Sequence, residues 1–176
     1  MVVAYSTVVA NHPDHDALDV LQAITGGLGG TFFEEIRGRR GLAYQVSTFS
    51  RERALAGYFG TFVACTPDSA EVVKKLVYDL HARLAVEAPS QESVERAQNY
   101  LAGTYQIGLQ THASVAGLLA YDELMGIDLA RIDDRAERIR SVTREDLLRV
   151  ARSYFQDKTH AVGMVAGRSG AGASPE

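Results

Sequence analysis

The sequence predicts an α+β fold, a two-layer sandwich with helices packed on one face of a mostly antiparallel sheet of about four strands. The chain has 176 residues, of which 46% are apolar and 23% charged, and these proportions are typical of a globular domain with its own core. Residues 42–50 have the two-residue alternation of strands and residues 57–66 follow as a second strand, whereas most of the remaining chain has the three-to-four-residue spacing of amphipathic helices. This order of strands and helices favours the α+β class.

The first part of the chain predicts a strand, two helices and a hairpin. Residues 2–9 are rich in β-branched side chains and precede a turn-forming Asn-His-Pro-Asp segment. A helix should follow and stop at the glycines of residues 26–30, and its apolar positions are Leu18, Leu21, Ile24 and Leu28. Phe32, Phe33 and Ile36 predict a short second helix that ends around residues 38–41, and the hairpin strands are expected at residues 42–50 and 57–66.

The next part of the chain is predicted to be helical. Thr66 and Pro67 place a capping residue before a proline at the first helical position. The helix that begins there has an apolar stripe formed by Val72, Val73, Leu76, Val77, Leu80 and Leu84. Another helix should begin near Ser90, and shorter ones are expected around residues 118–125 and 132–139.

The last part of the chain predicts one more helix and a closing strand. Thr143 and Asp146 have the spacing with which a hydroxyl and a carboxylate bind the exposed amides of a helix start. Residues 159–166 should form the last strand. We therefore expect one domain over residues 1–166 and a disordered tail of small and polar residues at 167–176.

The charge pattern and the cysteine content exclude several classes of function. The net charge is −4 with the two signs interspersed, so no basic surface for nucleic acid or anionic membrane is expected. No run reaches the roughly 18 apolar residues of a membrane span. Cys65 is the single cysteine, cannot form an internal disulfide, and has no neighbouring histidine, so a buried structural thiol is favoured over a nucleophile. The cellular compartment is left undecided.

Two polar segments have alternative interpretations. His12, Asp14, His15 and Asp16 are side chains of the types that bind zinc, yet the same residues also suit a polar loop that caps the following helix. The glycine-rich segment 26–31 resembles a phosphate-binding loop but has no lysine before its threonine and does not follow a strand. We favour the structural interpretation in both cases.

One motif identifies a family. Residues 33–44 read Phe-Glu-Glu-Ile-Arg-Gly-Arg-Arg-Gly-Leu-Ala-Tyr, and this run resembles the signature of the second, non-zinc domain of the insulinase/pitrilysin and mitochondrial processing peptidase family. The upstream His-Pro-Asp and the glycine-rich segment are also similar to that family. Its catalytic zinc is held by an H-x-x-E-H motif in a first domain, and this motif is absent from the present sequence.

The resemblance implies which residues of this chain act on a substrate. The family's second domain contributes an arginine and a tyrosine seven positions apart, and Arg37 and Tyr44 match that spacing. Both are expected to bind peptide substrate, and Tyr44 is expected to donate to the oxyanion that forms during cleavage. No metal and no other cofactor is expected on this chain itself, since the resemblance assigns the zinc to a partner domain.

The leading hypothesis is therefore the non-zinc half of a zinc metalloendopeptidase. Its expected partners are a peptide substrate and a zinc-bearing homologous domain or subunit, and the chain is expected to be the C-terminal part of a larger protein or else a separate subunit. The alternative is a non-catalytic scaffold or interaction subunit related to processing peptidase-like core proteins. A third hypothesis is an unrelated α+β binding domain, in which the motif would be coincidental.

Overall fold

The computed structural model describes residues 1–167, so the predicted tail at 167–176 lies, except for Gly167, outside the described residues. Four strands are present, β1 (Val2–Thr7), β2 (Gln45–Glu52), β3 (Gly57–Ala64) and β4 (His160–Gly163). The helices are α1 (His15–Thr25), α2 (Thr31–Phe33), α3 (Ala70–Val86), α4 (Gln91–Gly108), α5 (His112–Met125), α6 (Arg135–Ser141) and α7 (Arg144–Tyr154). Helix α2 continues as a π-helical turn, Glu34–Gly38, and 3-10 turns lie at Pro67–Ser69 and Leu129–Ile132.

The four strands form one antiparallel sheet in the order β2-β3-β1-β4. The central pair aligns Val3 with Thr61 and Tyr5 with Phe59, so the chain's first strand lies between the hairpin and its last strand. The hairpin was predicted from its alternating residues, and the closing strand was predicted at residues 159–166. The α+β class and the antiparallel sheet are both confirmed.

Along β2, buried residues alternate with more exposed ones, which shows that the helices cover one face of the sheet. Val46 and Thr48 face the helix layer and are buried, whereas Ser47 and Phe49 on the opposite face are only half-buried. On the same open face, the ring of Phe49 packs against Tyr58 of β3 with 6.0 Å between centroids. The two-layer arrangement is therefore as predicted. Within residues 1–167, no helix combines the length and the apolarity needed to cross a membrane.

Helix α1 ends earlier than its apolar pattern predicts. It stops at Thr25, so Leu28 lies beyond the helix and is 80% exposed instead of buried. The chain leaves the helix at two glycines. Gly27 has a positive φ of 73°, and Gly26 lies so close to β2 that a Cβ there would be 2.6 Å from the Thr48 hydroxyl. The glycines thus allow a close turn over β2, which agrees with the structural interpretation of this segment.

Carboxylates at the start of α1 bind arginines from the last two helices. Arg149 of α7 donates to Asp14 at 2.8 Å, and the hydroxyl of Tyr154 donates to the other oxygen of the same carboxylate at 2.7 Å. Burial alone would raise the pKa of Asp14, but these two bonds and the arginine charge lower it. Arg138 of α6 donates to Asp16 at 2.9 Å. These contacts hold the start of α1 against α6 and α7.

A second group of charges lies one turn further along α1. Arg135 of α6 donates to Asp19 at 2.9 Å, and His15 Nε2 lies 3.2 Å from the same carboxylate oxygen. His15 Nδ1 faces Glu52 of β2 at 4.0 Å. Burial alone would lower the pKa of His15, but the hydrogen bond to Asp19 and the charges of Asp19 and Glu52 outweigh burial and raise it. When protonated, His15 pairs with Asp19 and faces Glu52 at the end of β2.

This raised pKa makes stability depend on pH in a defined direction. Because the folded-state pKa of His15 lies above its ordinary value of 6.5, protonated His15 stabilises the fold fully below pH 6.5, and that contribution is lost as the pH rises through the folded-state pKa. The free energy of unfolding, measured by urea titration, should therefore exceed that of His15→Asn most at low pH, with the difference shrinking as the pH rises. His112→Asn, at an exposed position, is the matched control. A pH-independent difference for His15→Asn would contradict this account.

Candidate functional site

A π-helical turn carries Arg37 towards the start of β2. The turn is defined by the bond from the amide of Arg39 to the carbonyl of Glu34, 2.8 Å long, which spans five residues. Gly41 then adopts a positive φ of 62°, a conformation that favours glycine, and its amide donates to the Arg37 carbonyl at 3.0 Å. The chain reverses at this point and reaches Tyr44, the residue before β2. Gly41 thus provides the turn that leads into β2.

The side chain of Arg37 and the backbone of Tyr44 are joined directly. Arg37 Nη1 donates to the Tyr44 carbonyl oxygen at 2.6 Å. The Tyr44 amide donates to the carbonyl of Ala64 on β3 at 3.1 Å, so both backbone groups of the tyrosine are bound. Its side chain is 66% exposed. The structure therefore brings the two residues selected from the sequence together, with both backbone groups of Tyr44 bound and its side chain exposed.

The neighbouring arginines face a different partner. Arg39 Nη1 lies 2.8 Å from Glu35, and Arg40 lies 3.9 Å from the other oxygen of that carboxylate. Arg83 of α3 approaches the same group at 3.9 Å. Among residues 1–167, Arg37 has no carboxylate within ion-pair distance, so its charge is not neutralised by an ion pair within that part of the chain. Of the three arginines in the motif, Arg39 and Arg40 are paired with Glu35, and Arg37 instead binds the Tyr44 carbonyl.

Phe33 is a further contact of Arg37 that the sequence reasoning did not identify. The Arg37 guanidinium carbon lies 5.3 Å from the centre of the Phe33 ring, within the distance at which a cation is attracted to an aromatic face. The four-residue spacing of an aromatic residue and an arginine in a predicted helix was the available signal. Whether the two side chains meet depends on the π-helical geometry, which the sequence pattern does not specify.

An open cleft lies beside the Tyr44 side chain. It has a volume of about 750 Å³ and its floor includes Val2 and Phe62 from the open face of the sheet. Cys65 and Met164 line it as well. Cys65 is partly buried in this wall as a free thiol. The cleft is largely apolar, and Tyr44 is one of the residues that line it.

The histidine and aspartates at the start of α1 do not fit a metal site. Asp14 and Asp16 are bound by arginines, and the structure instead places His15 beside Asp19 and Glu52, with one ligand atom from each within 4.8 Å of the others. Arg135 donates to Asp19 at 2.9 Å and lies 3.3 Å from His15, so a permanent positive charge already occupies this position. The arrangement is an internal ion-pair network, and a zinc ion bound by these three side chains would have to displace the Arg135 guanidinium.

The geometry at Arg37 and Tyr44 defines what this surface can do chemically. A guanidinium offers five N–H donors in a fixed plane, and only one of the Arg37 donors is used on Tyr44. A phenol can donate one hydrogen bond to a carbonyl oxygen or to an oxyanion. The pair is therefore suited to binding the backbone of an extended peptide and to stabilising negative charge on its carbonyl.

Comparison with known proteins identifies the family to which this chain belongs. Residues 1–101 match the family model described as the peptidase M16 inactive domain. An uncharacterized zinc protease of Streptomyces coelicolor is 32% identical over 140 residues, which are 79% of this chain and 30% of that protein. The chain thus spans less than a third of the length of this relative.

Solved structures give the same result. A protease from Helicobacter pylori superposes with a TM-score of 0.82 at 25% identity, covering 90% of this chain and 38% of that one. A peptidase M16 inactive domain from Pseudomonas fluorescens has the same fold, with a TM-score of 0.80 at 23% identity over 95% of this chain and 42% of that one. The resemblance found in residues 33–44 is confirmed, and the chain belongs to the peptidase M16 family, matching its inactive domain.

Proposed function

We propose that this chain is the non-zinc half of a zinc metalloendopeptidase. In this role it binds peptide substrate and stabilises the transition state at a zinc site that another domain or subunit supplies. The observation that carries the proposal is the bond between the Arg37 guanidinium and the Tyr44 carbonyl, which presents a charged donor and an exposed phenol together at one edge of the sheet. The names of the relatives, which include zinc proteases, support the same reaction class.

Each of the two residues has a separate part in the proposed reaction. The free donors of Arg37 bind backbone carbonyls of the substrate and fix its register. The Tyr44 hydroxyl donates to the oxygen of the bond being cleaved, where negative charge develops as the carbonyl carbon becomes tetrahedral. The zinc of the other domain would supply the activated water. In this proposal the chain contributes substrate binding and charge stabilisation, and the other domain contributes the nucleophilic water.

Two apolar surfaces support a partner of substantial size. Helix α5 consists mainly of apolar residues, yet Asp122 is the single buried residue among its 14, and Leu124 is 74% exposed. The open face of the sheet also presents aromatic residues, including Phe49 and Tyr58. Contiguous exposed apolar surface is typical of an interface. Because the matched segment is only 30% of the Streptomyces coelicolor zinc protease, we infer that the partner is a zinc-bearing domain.

Substitution of the two residues tests the proposal in the assembled enzyme. After reconstitution with the zinc-bearing half, Tyr44→Phe should lower kcat on a fluorogenic peptide about a hundredfold, because one oxyanion donor is lost. Arg37→Ala should lower kcat/KM by about tenfold or more, because a charged hydrogen bond to the substrate is lost. Both variants should still form the complex, as measured by analytical ultracentrifugation.

Matched controls separate the site from general effects. Tyr100→Phe removes a hydroxyl from a tyrosine that is 65% exposed, close to the 66% of Tyr44, and should leave kcat unchanged. Arg39→Ala removes an exposed arginine two residues from Arg37 and should leave kcat/KM close to wild type. If Tyr44→Phe and Arg37→Ala both retain full turnover in an intact complex, the catalytic role is wrong and the scaffold alternative is favoured.

The isolated chain provides an independent prediction. Its sequence has no H-x-x-E-H motif, and Arg135 occupies the His15, Asp19 and Glu52 cluster, so the chain alone should bind no stoichiometric zinc and hydrolyse no peptide. Equilibrium dialysis followed by mass-spectrometric metal analysis measures the first, and the fluorogenic peptide measures the second. If the wild-type chain binds stoichiometric zinc and His15→Asn does not, the prediction is wrong and the chain contains a metal centre at His15.

A further inference from the structure

The guanidinium of Arg37 is held at two points. Nη1 donates to the Tyr44 carbonyl at 2.6 Å, and the guanidinium carbon lies 5.3 Å from the Phe33 ring. Phe33 is itself partly buried and packs against the main apolar core, which fixes the position of its ring. An exposed arginine ordinarily samples many rotamers, so these two contacts restrict a side chain that would otherwise be mobile.

Within residues 1–167, the groups around Arg37 leave the Phe33 ring as the contact that orients its guanidinium. The other charged groups of the turn are directed elsewhere, since Glu35 is bound by Arg39. The Tyr44 carbonyl can accept a bond from more than one guanidinium orientation, because a carbonyl oxygen has two lone pairs. The flat face of Phe33 selects the orientation in which the guanidinium lies over the ring. The remaining donors of Arg37 are then aimed in one direction.

We propose that Phe33 is a positioning residue for Arg37 and, through the bond from Arg37 to its carbonyl, for Tyr44. This inference rests on the proposed function of Arg37 and Tyr44 in substrate binding. The ring touches neither substrate nor zinc in this account. It lowers the entropy that Arg37 would lose on binding a peptide carbonyl, and it keeps the backbone of Tyr44 in place at the start of β2.

The test compares two substitutions of Phe33 in the complex with the zinc-bearing half. Phe33→Leu keeps an apolar side chain but removes the aromatic face, and it should lower kcat/KM on the fluorogenic peptide about two- to fivefold, the range of an exposed cation–π contact. Phe33→Tyr keeps the aromatic face and should retain wild-type kcat/KM. In an Arg37→Ala background, Phe33→Leu should cause no further loss, because the group that the ring positions is absent.

A direct measurement on the chain complements the kinetics. The NMR order parameter of the Arg37 Nε–Hε group should be high in the wild type and in Phe33→Tyr, and lower in Phe33→Leu. A purely structural role of the ring would leave this order parameter unchanged. Arg39, whose guanidinium binds Glu35, serves as the internal reference in the same spectrum.

The possible outcomes distinguish the inference from the proposed function. If Arg37→Ala lowers kcat/KM but Phe33→Leu lowers it equally in both backgrounds, the ring acts through packing alone and the inference is wrong. If Phe33→Leu has no effect while Arg37→Ala does, the inference is also wrong and the proposed function stands. If Arg37→Ala itself has no effect, the proposed function fails and the inference falls with it.

Discussion

The carboxylates of Asp14, Asp16 and Asp19 lie along the first turns of helix α1, and each is bound by an arginine from α6 or α7. Unpaired charges at partly buried positions are costly, so these bonds fix how the last helices pack on α1. The opposite end of α1 is bound to the sheet. Gln22 donates to the Thr48 carbonyl at 3.1 Å, and the Thr48 hydroxyl donates back to the Gln22 carbonyl at 3.3 Å.

The position of the candidate site follows from this arrangement. Strand β2, which α1 holds, begins immediately after Tyr44, and the turn that carries Arg37 links the end of the α1 segment to that strand. The hydrogen bond from Arg37 to the Tyr44 carbonyl joins this turn to the start of the strand. A substitution that loosens α1 is therefore expected to alter the site from a distance, although none of the charged residues at the start of the helix lies beside Tyr44.

The helices cover one face of the sheet, and this asymmetry shapes the proposed function. The open face and helix α5 together leave apolar side chains in contact with solvent, which is unfavourable for an isolated protein. We propose that a partner covers the open face, where Val2 and Phe62 line the cleft beside Tyr44. The proposed interface is thus next to the residues that we propose act on a substrate held between the two halves.

Local patterns in the sequence predicted much of this structure. The hairpin of β2 and β3 and the Thr143 and Asp146 capping box both depend on residues close together in the chain, and both are present. The contact of His15 with Glu52 joins distant segments, and no local pattern specifies it. The exposure of Leu28 was missed for a related reason, since helical spacing alone does not mark where the glycines end the helix.

Within the candidate site, the motif supplied the identities of Arg37 and Tyr44, whereas their contact had to come from the three-dimensional structure. Their seven-residue spacing is compatible with several geometries, and the π-helical turn and Gly41 select one of them. The role of Phe33 was not predicted because an aromatic residue at that position is equally consistent with simple core packing. Its contact with a charged group becomes evident only when both side chains are placed.

The most direct test of the central claim is a structure of this chain assembled with its zinc-bearing half and a bound peptide, using a zinc-domain variant that cannot cleave. The account predicts that the Tyr44 hydroxyl lies about 2.6–3.2 Å from the carbonyl oxygen of the bond to be cleaved, with Arg37 bound to a neighbouring carbonyl. A complex in which the peptide reaches the zinc while Tyr44 and Arg37 both face solvent would contradict it.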